Sequence, residues 1–294
     1  MHTPIPLVSI VTPSLNQGRY LAEAVESVLV QDHPRLELLV MDGGSTDETQ
    51  VVLERYQGRL RAVRERDAGQ AAAVNKGVRL SSGEILGWLN ADDLYEPGAV
   101  SAAVAFLQAH PDVALVYGDA VFVDAADREL GPCVQVRPFT YAELVHVGDF
   151  VAQPAAYFRR SAFDAVGGLD ESLRWAMDYD LWLKLARRFP VAYLPRRLAR
   201  YRWTGENKTA RGGFARLAEL EEVGRRHGAG GLPAVFRLEK FALSRRTAAA
   251  HWRARRVRAA AAVLADGAWA VLSSLRALSV SLRPGRWPAR RRPA

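Results

Sequence analysis

The chain has a single cysteine, Cys133, in 294 residues. That excludes an intramolecular disulfide and any cysteine-rich zinc site, and it fits a reducing compartment. No uninterrupted apolar run reaches the ~18–20 residues that span a bilayer. The opening "MHTPIPLVSIVTPS" has no basic n-region and is broken by Pro4, Pro6 and Pro13, so it does not read as a signal peptide. These absences predict a cytoplasmic protein, soluble or peripheral to a membrane. Two nucleotide signatures are also missing. No G-x-G-x-x-G follows the first predicted strand and no G-x-x-x-x-G-K-[ST] occurs, which removes most of the case for dinucleotide oxidoreductases and P-loop NTPases.

Acidic residues are scarce at one end only. Residues 1–195 hold 17 Lys and Arg against 26 Asp and Glu, whereas residues 196–294 hold 23 against 6. Only four of the 40 basic residues are Lys. A G+C-rich coding bias would favour Arg over Lys, but it does not explain the missing acids. The length suits one large domain, or a domain with a substantial appendage.

What is present is a strand–helix alternation. "LVSIVTPS" and "LELLVMD" are apolar, β-rich runs, and between them Leu21, Ala24, Val25, Val28 and Leu29 recur at helical spacing. "LRAVRERDAGQ" reads as strand and turn, "AAAVNKGVRL" as helix and "EILGWLNADD" as strand and turn. This rhythm predicts an α/β fold with a mostly parallel, doubly wound sheet. It puts Asp42, Asp67, Asp92 and Asp93 just after predicted strands, and open α/β sheets bind ligands beyond those strand ends. A lone strand-end Asp is usually a turn or cap residue, but four from three strands would share one rim. Adjacent Asp92 and Asp93 repel unless something positive answers them. A divalent cation, Mn²⁺ or Mg²⁺, held between the acids and a diphosphate would do so.

Four ordered stretches then carry a family resemblance. "VSIVTPSLNQGRYLAEAVESVLVQDHPRLELLVMDGGSTDET", "ERDAGQAAAVNKG", "GEILGWLNADD" and "GGLDESLRWAMDYDLWLKLA" resemble family 2 glycosyltransferases of the GT-A fold, over about residues 6–209. The resemblance implies inverting transfer of a sugar from a nucleotide diphosphate donor to an acceptor hydroxyl, in cell-surface glycan or polysaccharide synthesis. It implies nucleoside contacts at Thr12, Ser14, Asp42 and Asp67, and a metal-binding acidic motif at Asp92 and Asp93. Of that pair Asp93 is expected to be the metal ligand, with Asp92 beside the nucleotide. Asn90 stands where many members have another Asp. Asp178 inherits the role of catalytic base, Asp180 is its rival, and Met177 replaces the Glu that many members carry. Gln153 and Arg159 are possible acceptor-side contacts, Arg202 and Lys208 are phosphate candidates, and Thr204 stands where some members have a His. A catalytically inactive nucleotide-sugar-binding protein is the alternative, suggested by Met177 and Thr204.

The resemblance ends near residue 211, so we expect a catalytic domain over 1–211 and a helical basic extension over 212–294 with a disordered end. The extension reads as Ala- and Leu-rich helices with Arg faces. Such helices can lie on anionic lipid, which would place the protein at the inner face of the cell membrane beside a glycan or lipid-linked acceptor. Packing on the catalytic domain or pairing of subunits is the competing reading. Nucleic acid is not expected, because the first domain is acidic and lacks interleaved aromatic and basic residues.

Overall fold

The computed structural model describes residues 4–133, 135–253 and 256–281. By internal contacts the chain divides into two units: Met1–Leu144 with Asp149–Gly212, and Val145–Gly148 with the chain from Gly213 onward.

The first unit begins as a regular alternation. Strand β1 (Val8–Ser14), helix α1 (Gly18–Leu29), β2 (Leu36–Asp42), α2 (Thr49–Arg55), β3 (Arg61–Arg64), α3 (Gln70–Leu80) and β4 (Ile85–Trp88) follow in turn. β1 pairs in parallel with both β2 and β4, and β3 adds in parallel to β2. The half-sheet therefore runs β3-β2-β1-β4, and the direction of winding reverses at β1. α1 forms because Leu21, Ala24, Val25 and Val28 line one side, and all four are buried against the sheet. Burial of each Leu or Val side chain contributes roughly 1.5–3 kcal/mol.

The second half of the sheet departs from a purely parallel plan. After β5 (Leu94–Tyr95), α4 (Ala99–Ala109), β6 (Leu115–Val123), β7 (Glu129–Pro132) and α5 (Tyr141–His146) comes β8 (Ala156–Arg159), which inserts antiparallel between β4 and β6. α6 (Arg160–Ala165) and α7 (Met177–Arg188) then lead to β9 (Val191–Arg202), parallel to β6 and antiparallel to the short β5. Among the described residues the sheet has nine strands. The β5 pairing returns β9 to the Asp92–Asp93 turn, so the chain near residue 202 meets the strand end at residue 92.

Close approaches fix α3 on the sheet. A Cβ on Gly77 would lie 2.4 Å from Val11 Cγ1, so only glycine allows the helix to sit this near β1. Asn75, two residues before Gly77, donates from Nδ2 to Leu169 O and accepts at Oδ1 from Leu169 N, at 2.9 and 3.0 Å. That pair of bonds anchors the loop after α6, which carries Glu171–Trp175.

The second unit consists of the later part of α8 (Lys208–Arg226), α9 (Ala234–Arg253) and α10 (Val257–Ser281). α8 kinks at Gly213, whose φ of 53° and ψ of −139° are non-helical. Among the described residues no helix is long and apolar enough to cross a membrane.

Candidate active site

A cavity of about 510 Å³ opens at the carboxyl ends of β1 and β4. This is where strand order reverses and where open α/β sheets place ligands. Pro13, Ser14 and Leu15 come from β1 and its loop, and Trp88, Asn90 and Asp92 from the end of β4. Gln70 begins α3, Trp175 and Asp178 stand at the start of α7, and Tyr201, Asn207 and Lys208 belong to β9 and the segment after it. A second cavity of about 350 Å³, lined by Asp42, Arg66, Lys76 and Arg79 among others, shares Asp67, Ala68 and Ala73 with the first.

At the end formed by β1 and β2, two buried polar atoms have no hydrogen-bond partner among the described residues: Ser14 Oγ and Asp42 Oδ2. Asp42 Oδ1 accepts from the Ser45 amide at 2.9 Å, while Oδ2 has Arg64 Nε at 3.4 Å, an ion-pair distance without hydrogen-bond geometry. Asp67 is exposed and accepts from the Gly69 amide at 3.0 Å. Its Oδ2 would lie 2.9 Å from a Cβ on Gly43, so the Gly43 position leaves the carboxylate room. Thr12 is 1% exposed inside β1 and does not line either cavity.

The two adjacent acids divide the work differently from the sequence expectation. Asp93 is fully buried rather than on a solvated rim. Its Oδ1 accepts from the Arg202 amide at 3.0 Å and its Oδ2 from Asn90 Nδ2 at 3.1 Å. Asp92 is the acid that lines the cavity, with Oδ2 accepting from Asn207 Nδ2 at 3.0 Å. The geometry follows from a tight turn, closed by the Asp93 amide donating to Asn90 O at 3.1 Å, which points consecutive side chains in opposite directions. Burial raises the pKa of Asp92 from the ordinary Asp value. Burial, and then the charge of Asp92, holds that of Asp93 well above it.

Asn90 uses all of its hydrogen-bonding capacity. Oδ1 accepts from Trp88 Nε1 at 2.9 Å and Gln70 Nε2 at 2.7 Å, while Nδ2 donates to Asp93 and, at 2.7 Å, to Gln153 Oε1. The indole N–H can only donate, which fixes the amide's orientation. Gln153 in turn donates to Trp88 O at 2.5 Å. It lines the cavity, but its amide is tied into the β4 end.

Arg202 is a second correction. Expected to face phosphate, it is completely buried, with its guanidinium donating to Asp92 O, Asp124 O, Ala125 O and Glu23. Arg159 likewise donates to Val113 O and Leu107 O, so it braces the β8 end instead of facing an acceptor. Lys208 does line the cavity, with Nζ 2.8 Å from Gln70 Oε1. Thr204 bonds to Asn207 Oδ1, and Asn207, which sequence reasoning passed over, is the residue from this segment that touches Asp92.

At the opposite side of the cavity stands Asp178, half-buried in the first turn of α7, where its Oδ1 accepts from the Tyr179 amide at 2.8 Å. Asp180 is 4% exposed and paired with Lys184 Nζ at 2.9 Å. Met177 is buried and also lines the cavity.

Among the described residues no three His, Cys, Asp or Glu side chains cluster as a ready-made metal site. The donor set fits a different arrangement. Asp92 presents a carboxylate whose ionised form burial disfavours, so it would gain from a cation. Mg²⁺ and Mn²⁺ are commonly held by one or two carboxylates together with substrate phosphates.

Comparison with known proteins supplies the context. The sequence profile described as "Glycosyl transferase family 2" matches residues 9–167. A glycosyltransferase of Rickettsia typhi is 29% identical over 197 residues, which cover 63% of this chain and 60% of the relative. Chondroitin synthase of Escherichia coli is 30% identical over 198 residues, 65% of this chain and 28% of that enzyme. The chain thus spans less than two thirds of the length of these relatives. A mannosyltransferase of Pyrobaculum calidifontis, solved with GDP-Man and Mn²⁺, shares the fold with a TM-score of 0.56 and 21% identity, over 97% of this chain and 78% of that one.

Proposed function

This chain belongs to glycosyl transferase family 2, and from that premise we propose that it transfers a sugar, with inversion, from a nucleotide diphosphate donor to a hydroxyl of a glycan acceptor. One observation carries the reading. Ser14 Oγ and Asp42 Oδ2 are buried polar atoms without hydrogen bonds, and they border adjoining cavities at the sheet's point of reversal. Leaving Ser14 Oγ without a hydrogen bond costs about 1–3 kcal/mol, Asp42 Oδ2 has only the 3.4 Å ion pair with Arg64, and a nucleoside with its own donors and acceptors would satisfy both.

In this reading Asp42, Ser14 and Asp67 hold the nucleoside, and the diphosphate lies toward Asp92 and Lys208. A Mn²⁺ or Mg²⁺ ion at Asp92 would offset the charge that grows on the departing diphosphate. Asn207 orients that carboxylate through its 3.0 Å bond, and Asn90 holds the turn that presents it. Asp178 takes the proton from the acceptor hydroxyl as that oxygen attacks the sugar from the side opposite the diphosphate. Asp180 is unsuited to this step because Lys184 neutralises it in a buried position. The name of one relative, chondroitin synthase, favours a polysaccharide as product; we expect it at the cell surface, and work on a lipid-linked acceptor would take place at the inner face of the cell membrane.

Thermal denaturation with UDP-, GDP- and dTDP-sugars in the presence of Mn²⁺ tests the donor site. One base should raise the melting temperature by a few degrees, since ligand at 100 Kd contributes about 2.7 kcal/mol, and chelation should abolish the shift. No shift with any nucleotide would remove the proposal.

A further inference from the structure

The second unit carries a surface that the proposed transfer reaction does not use. Residues 240–294 contain thirteen Lys and Arg against one acid, Asp266. That acid is already paired with Lys240 at 3.0 Å. α9 and α10 pack tightly through Ser244 and Gly267, where a Cβ on the glycine would lie 2.6 Å from Ser244 Cβ. The close contact fixes which side of each helix turns inward, and Ser244, Ala248, Ala260 and Ala270 are buried there.

The outward sides mix large apolar residues with Arg. On α9, Leu238, Ala242, Arg245, Ala249 and Trp252 are exposed and recur at the three- and four-residue spacing of a single face. On α10, Val257, Ala261, Leu264, Trp269 and Leu272 are exposed, and only Arg258 and Asp266 are charged between residues 257 and 272. Trp252 is 65% and Trp269 63% exposed. A water-facing helix side ordinarily carries polar residues.

We infer that the α9–α10 hairpin is a docking surface for an anionic lipid bilayer. Trp and Leu enter the boundary between headgroups and acyl chains, where amphipathic aromatic rings are favoured. Arg245, Arg246, Arg253 and Arg258 meet the lipid phosphates, their long stems reaching from apolar surface to headgroup. Charge selects this occupant over the others. A second copy seated on the same face would oppose Arg to Arg, with only Glu239 and Asp266 to answer them, and these are already paired with Arg216 and Lys240. A nucleic acid would neutralise the Arg but leave Leu238, Trp252, Trp269 and Leu272 in water. An anionic bilayer satisfies both features at once, and the inference does not depend on which sugar, if any, the first unit transfers.

Co-sedimentation of the full chain tests it, with vesicles of phosphatidylcholine alone and of phosphatidylcholine mixed with phosphatidylglycerol. The wild type should pellet with the mixed vesicles only and be released by high salt. The triple variant Arg245→Glu, Arg246→Glu, Arg253→Glu should lower the partition coefficient by at least on the order of a hundredfold, since each basic residue near such a surface contributes about fivefold. The double variant Trp252→Glu, Trp269→Glu should lose binding comparably while keeping the wild-type melting temperature, because both side chains are exposed. Equal pelleting with both vesicle types, no pelleting with either, or wild-type partition by both variants would overturn the inference. So would a concentration-dependent dimer that the same variants disperse, because the face would then belong to a second copy.

Discussion

Replacing Asp93 by Ala removes the acceptors used by the Arg202 amide and the Asn90 side-chain amide, at 3.0 and 3.1 Å. Asp93 is fully buried, so water does not readily take over either bond. Each buried donor left unpaired costs about 1–3 kcal/mol. Part of that is offset, because the substitution also removes a buried charge held beside Asp92 at a raised pKa. The balance is a loss of roughly 2–4 kcal/mol, or a melting temperature lower by on the order of 5–15 °C. Asp92→Ala gives the opposite profile. It forfeits one partly exposed contact with Asn207, so stability should fall by about 1 kcal/mol or less, while Mn²⁺-dependent affinity for a nucleoside diphosphate disappears. Thermal denaturation and titration calorimetry on the two variants separate the roles. If Asp93→Ala melts with the wild type and loses metal-dependent binding while Asp92→Ala keeps it, the assignment drawn from burial is wrong.

Asp178→Asn should leave donor affinity nearly unchanged and cut transfer by about 10²–10⁴-fold. Asp180→Asn should instead destabilise, through loss of the buried pair with Lys184, and steady-state kinetics with denaturation curves on both variants distinguish them. Gly77→Ala would place a methyl 2.4 Å from Val11 Cγ1 and 3.1 Å from Met41 Cγ. Overpacking of this kind costs about 1–3 kcal/mol, and an unchanged urea midpoint would contradict the close α3–β1 packing. Metal–nucleotide affinity should begin to fall, as pH drops from neutrality, at a value above the ~3.9 of an ordinary Asp, because burial raises the pKa of Asp92 and the ion needs the carboxylate. The stability effect has the opposite sign. The folded state binds protons at Asp92 and Asp93 more tightly than the unfolded chain, so their contribution to stability is greatest in acid and shrinks as pH rises through the folded pKa values. Calorimetry across that pH range checks the first effect, and denaturation midpoints for the wild type and Asp93→Ala check the second.

The core of the parallel half was legible because β1 and β2 are short apolar runs, each followed by a helix. Local periodicity reports both, and it also put Asp42, Asp67 and Asp92 at strand ends. The insertion of β8 between β4 and β6 was not legible, since a strand's direction depends on partners far away in sequence. The division of labour between Asp92 and Asp93 was hidden for a similar reason. Which of two adjacent side chains is buried depends on the turn at Asn90 and on β9, whose Arg202 amide arrives from 109 residues later. Arg202 itself looked like a phosphate ligand by residue type. Its burial under Glu23 and three backbone carbonyls is a tertiary fact with no local signature. Asn207 was overlooked for want of charge, although it ends the "TGEN" stretch, whose Gly and Asn are turn-forming residues.

On the proposed reading, a sugar nucleotide spans the two adjoining cavities between Asp42, Asp92 and Asp178 and is turned over there. Nucleoside diphosphate release from a mixed panel of UDP-, GDP- and dTDP-sugars with Mn²⁺ and a glycan acceptor mixture, followed for the wild type and Asp178→Asn, tests that claim most directly. Acceptor-dependent release by the wild type, suppressed by Asp178→Asn and by chelation, is the predicted result. Tight nucleotide binding without release by the wild type would contradict it, and would mark the protein as a sugar-nucleotide binder instead of a transferase.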